Sequence, residues 1–135
     1  MIEYLWFLHI SGLIIGLGAV TVIDTLGFLS RKSKYWTKIT IGAHHVTKPL
    51  IWAGITLIAL TWIFLFESTT FGKIKTALIA ILMANGIFLS FYVSPRLDKT
   101  KGLFSPQLQK KVTISMIISF ICWWATVLIT VKTLI

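Results

Sequence analysis

Three histidines, one aspartate, one lysine and one asparagine stand inside or beside long apolar runs, and their types define the chemistry open to this chain. Neutral imidazole binds transition metals and exchanges protons near neutral pH. An ionisable side chain within a membrane span is costly, so it marks a functional hypothesis with a partner to be named. His9 lies near the start of the first apolar run, whereas His44 and His45 open the second. In an antiparallel pair of helices their levels differ by about 25 Å at 1.5 Å per residue. His9 therefore cannot share a metal ion with the other two, and two separate sites follow.

The first site comprises His9, Gly12, Gly16 and Lys75. Steps of three and four put His9, Gly12, Gly16 and Ala19 on one helix face. Gly12 to Gly16 is also a GxxxG pattern, which packs helices closely in membranes. The functional reading is a groove for a flat cofactor, haem b or porphyrin, with His9 as the metal ligand. Lys75 opens the third apolar run. It either snorkels to the interface or supplies a cation to a substrate carboxylate or a porphyrin propionate.

The second site comprises Asp24, His44, His45 and Asn85. Asp24 lies at the depth of the two histidines, where carboxylate and imidazole could pair, pass protons or hold a divalent metal. Adjacent histidines diverge by about 100° on a helix, which argues against joint chelation. Asn85 sits mid-run beside Gly86, where an amide seeks a partner on another helix. Cys122 is the only cysteine, so no intramolecular disulfide forms, and it reads as a small buried hydrophobe. There is no phosphate loop, HExxH or CxxC.

The elements that must position these residues follow from composition. Of 135 residues, 56% are hydrophobic and 13% charged, and the mean hydropathy is +0.88. A soluble domain usually carries about 25% charged residues. This composition excludes a disordered chain, a disulfide scaffold and an ordinary soluble enzyme. Apolar runs predict four membrane helices over about 4–29, 40–66, 74–93 and 111–132, within one domain over 1–135. Their continuity excludes an alternating barrel pattern. The first run lacks a basic leader and a clear cleavage site, and reads as a retained helix. The stretch from Ser94 to Lys111, with Pro95, Gly102 and Pro106, reads as an irregular loop.

Short connections predict an all-α, up-down four-helix bundle in the lipid bilayer. The net charge is +9. Ten Lys and Arg lie in or beside the two loops after helices 1 and 3, against three on the other side. The positive-inside rule then puts both termini on the extracytoplasmic side, with multi-pass insertion in a prokaryotic cytoplasmic membrane. These basic residues flank spans, so they point to lipid and not to nucleic acid. Trp6, Trp36, Trp62, Trp123 and Trp124 fall towards span ends, as interfacial anchors do.

Leu8-His9-Ile10 with Gly12 and Gly16, Lys48-Pro49, Ala53-Gly54, Lys73-Ile74-Lys75 and Pro95-Arg96-Leu97 occur in an order that resembles two related groups. One is the haem-associated protoporphyrinogen oxidase family of bacterial membrane proteins. The other is the membrane domain of copper-resistance D proteins. The resemblance implies haem binding at His9 and a role in activity for Lys75. The chain departs from the oxidase pattern at Gly16-Leu17-Gly18, where a tryptophan is usual, and at Asn85, where a histidine is frequent. The leading expectation is a haem- or porphyrin-associated, redox-type membrane protein. A structural or accessory subunit, or a small transporter or proton-handling protein, are the other two. One outer histidine supplies one axial ligand, which favours a homo-oligomer or a larger membrane complex.

Overall fold

The structure is a computed structural model describing residues 1–135. Helix α1 runs from Ile2 to Leu29 and α2 from Lys34 to Leu65. Helix α3 spans Thr70–Asp98 and α4 spans Pro106–Leu134. All four are long and apolar enough to cross a membrane.

Capping chemistry sets the ends. Ser33 is extended and its side chain accepts from the Trp36 N–H, so α2 starts at Lys34, six residues before the expected boundary. The turn between α1 and α2 is tied twice across the gap. Thr37 donates to the Ser30 carbonyl at 2.8 Å, and Thr40 to the Leu26 carbonyl at 2.8 Å. Ser105 caps α4 with Pro106 in its first turn, where a missing N–H costs nothing.

The segment around Pro95 differs most from the expectation. Pro95 has no N–H for the Phe91 carbonyl, and its ring crowds that turn. The helix does not end there. It widens into a π-helical turn over Leu89–Val93 and continues as α-helix over Ser94–Asp98. What read as an irregular loop from Ser94 to Lys111 is therefore helical at both ends. Only Lys99–Ser105 connects α3 to α4. Gly102 serves that link with φ +97, a conformation that L side chains rarely adopt.

The helices run antiparallel. Contacts at one end join the start of α1 to the end of α2 and the start of α3 to the end of α4. This is the termini end; the opposite one is the loop end. Leu13, Val20, Ile55, Ile58, Leu82 and Trp123 form the centre of the core. Val93, Leu97, Phe104 and Leu108 make a smaller cluster at the loop end. Phe7, Ile14, Phe64, Phe91 and Leu128 are exposed, as lipid-facing side chains are in a bundle that buries its own backbone polarity. The molecule is thus an all-α, membrane-spanning four-helix bundle.

Two features of the core were not legible as such. Trp123 and Trp62 are buried, at 0% and 5% exposure, and are core side chains instead of interfacial anchors. At the α1–α2 crossing the two backbones meet through glycine. A Cβ on Gly54 would lie 2.6 Å from Gly16 Cα and 2.8 Å from the Gly12 carbonyl oxygen.

Candidate functional site at the termini end

His9 and Lys75 are both fully buried, one contributed by the start of the third turn of α1 and the other by the second turn of α3. Lys75 does not snorkel. Its Nζ donates to Thr130 Oγ1 on α4 at 2.7 Å. It lies 4.3 Å from the Trp62 ring centroid and 5.6 Å from that of Trp6. Cation–π attraction of this kind gains strength when the cation is desolvated. No carboxylate lies within 4.0 Å of it, since the only ion pair in the molecule is His45–Asp98.

His9 is oriented from α2. Its Nδ1 is 2.7 Å from Thr61 Oγ1. The Thr61 hydroxyl already donates to the Leu57 carbonyl at 2.6 Å, so it accepts from His9 Nδ1–H. That assigns the lone pair to Nε2, which has no hydrogen-bond partner. Trp6 and Trp62 stand 5.7 and 6.1 Å from the imidazole, centroid to centroid. Trp62 is itself held by its Nε1–H donating to Thr76 at 2.9 Å. All four helices therefore build one box of two tryptophans, an amine, an imidazole and threonine hydroxyls.

Gly12 and Gly16 continue the α1 face of His9 against α2, but that face is closed. A Cβ on Gly12 would lie 2.8 Å from Leu57 Cβ, and one on Gly16 would overlap the Trp123 ring at 2.1 Å. Their face is filled by α2 and by the Trp123 indole. The donor chemistry at His9 suits an axial ligand: one nitrogen anchored, the other free. The space does not, because His9 has no exposed surface and the glycine face is occupied. The residues present do not fit a haem b macrocycle held against His9 in this packing.

The second predicted set is dispersed. His44 is buried with Nε2 unpartnered, whereas His45 is exposed and pairs with Asp98 at 3.0 Å. The imidazoles diverge, with centroids 6.4 Å apart. Asn85 is closed on one α4 residue. It donates to the Ser115 carbonyl at 3.2 Å and accepts from the Ser115 hydroxyl at 2.7 Å. Asp24 forms an ion pair with neither histidine. It lines a cavity of about 30 Å³ with Asn85, Ser119 and Trp123, room for about one water. Trp123, whose Nε1 has no protein partner, is one of that cavity's lining residues. No three His, Cys, Asp or Glu side chains converge as a metal centre.

No family model, curated protein or solved structure matches this chain.

Sequence reasoning found His9 and Lys75 but not the groups that define them. Thr61, on His9, and Thr130, on Lys75 and itself bonded back to the Thr126 carbonyl, are uncharged and scattered through apolar runs. Their only signal is the four-residue step from Thr126 to Thr130, which repeats the Thr hydroxyl on one face of α4. Asp98 lay in the supposed loop, so nothing in the sequence joined it to His45.

Proposed function

We propose that this is a multi-pass, redox-type membrane protein that binds a lipophilic carboxylic acid of the porphyrin class at its termini end. Lys75 takes the carboxylate. His9 Nε2 gives or takes the proton beside it. Trp6, half-buried and in contact distance of both, is the side chain whose rotation admits the acid from the interface. The macrocycle stays on the lipid side of the bundle, so the reading needs no haem held by His9.

The observation that supports this is a wholly buried Lys75 with no carboxylate within 4.0 Å, Glu67 acting on it only from further away, next to an imidazole with an unused nitrogen. A buried ammonium without an anion is strongly unfavourable. A ligand carboxylate removes that deficit and forms charge-assisted hydrogen bonds. The porphyrin class and the redox chemistry come from the resemblance of the His9 and Lys75 positions to the protoporphyrinogen oxidase family. The ten-to-three distribution of Lys and Arg supports an extracytoplasmic termini end, hence access to the box from that side.

The test is a titration of the detergent-solubilised protein with protoporphyrin and with its dimethyl ester, read by tryptophan quenching. The free acid should bind at least tenfold more tightly than the ester, and Lys75→Gln should erase the difference. Equal binding of acid and ester, or an unchanged Lys75→Gln titration, overturns the reading.

A further inference from the structure

The seam between α1 and α4 is open where the α1–α2 crossing is closed. A hollow of about 300 Å³ lies at its loop end, walled by Arg31, Gln109, Lys110 and Thr113. Directly below it, a groove of about 340 Å³ runs between α1 and α4 past Phe28, Met116 and Phe120. No α2 or α3 residue lines either one, so the pair opens sideways to lipid. The Trp123 indole fills the space over Gly16, further along the same two helices.

The two hollows have complementary characters. The upper one holds two cations, an amide and a hydroxyl, and no carboxylate. It sits at the first turns of α4, a 29-residue helix whose N-terminal N–H groups favour an anion. Arg31 is fixed there, stacked 5.3 Å from the Phe28 centroid and hydrogen-bonded to Thr113. The lower groove is mainly apolar. From Leu29, the last residue of α1, to Thr21 the helix rises about 12 Å, two fifths of a hydrocarbon core of about 30 Å. Asp24, the one carboxylate along it, lies about 10 Å below Arg31, out of reach of a group bound at the top.

We propose that this seam binds one anionic diacyl phospholipid, with its phosphate on Arg31 and Lys110 and an acyl chain in the groove beside Phe28 and Phe120. The site is separate from the His9–Lys75 box and does not depend on its role. A second copy of the chain is the less suitable occupant, since its own basic loop end would meet this one with like charge.

Native mass spectrometry tests this on protein reconstituted in vesicles of equal phosphatidylglycerol and phosphatidylcholine, then released in mild detergent. One phosphatidylglycerol per chain should be retained. Retention should weaken roughly thirtyfold in R31Q/K110Q, as expected for two basic side chains acting on an anionic lipid. Thr25→Trp keeps both cations but fills the groove, and should also lose the lipid. K99Q/K101Q removes the same charge from the α3–α4 link and should retain it. Melting temperatures of the variants confirm that each is folded. Equal retention of phosphatidylcholine, equal loss in K99Q/K101Q, displacement by inorganic phosphate, or a dimer that dissociates in R31Q/K110Q would each overturn the proposal.

Discussion

At the termini end Lys75 and His9 are enclosed completely, while at the loop end His45 and Asp98 meet with their side chains 59% and 44% exposed. Both pairs bring an imidazole near a charged group, yet their physics differs. His45 and Asp98 remain hydrated, and their attraction is small and screened by salt. Lys75 is cut off from water and depends on one hydroxyl and two aromatic faces. Desolvation of such a pair is therefore confined to the termini end, whereas the charges of the loop end stay in water. The α1–α2 crossing and the α1–α4 seam repeat this contrast in packing. Glycine backbones touch in the first, and hollows of about 340 and 300 Å³ line the second.

The largest effect is expected at the closed crossing. Gly54→Val should destabilise the bundle by about 3 kcal/mol, because the added methyls meet the backbone of Gly12 and Gly16 and cannot be accommodated by side-chain rotation. Unfolding in detergent with increasing dodecyl sulfate measures this. Thr130→Val should cost about 1–3 kcal/mol by stranding the Lys75 amine. Combining it with Lys75→Met should recover most of that loss. If the double variant is no more stable than Thr130→Val, the amine is not the source of the cost.

Gly42 on the same helix provides the opposite case. A Cβ there meets nothing within 4 Å, so Gly42→Ala should raise stability by about 0.5–1 kcal/mol. The contrast with Gly54 isolates contact from helix propensity. The smallest effect belongs to the exposed ion pair. Asp98→Asn should change stability by less than about 1 kcal/mol, and the difference should vanish in high salt. A large, salt-insensitive loss would mean that the loop end is organised more like the His9–Lys75 box.

Much of the architecture could be read directly. Continuous apolar runs define four helices because every backbone polar group must be satisfied within a span. The ends were less legible. Ser33 and Ser105 are ordinary loop residues until their side chains are seen capping α2 and α4. Pro95 signalled a helix stop because it lacks an N–H, but one π-helical turn absorbs the defect. The glycine stripe read equally as a cofactor groove or a helix contact. Only the position of Trp123, distant in sequence, decides that its face is filled.

The sequence by itself determined that the chain crosses a membrane, how many times, and which residue types stand within the spans, because these depend on composition along one dimension. It also put His9 and Lys75 at the same end, since antiparallel connection fixes depth. Rotation about the helix axes was decided by tertiary structure alone. Whether Lys75 turns to the interface or to the core depends on Trp6, Trp62 and Thr130, which lie on three other helices. Depth follows from residue number at 1.5 Å per step, whereas facing follows from which neighbours can satisfy a buried polar atom.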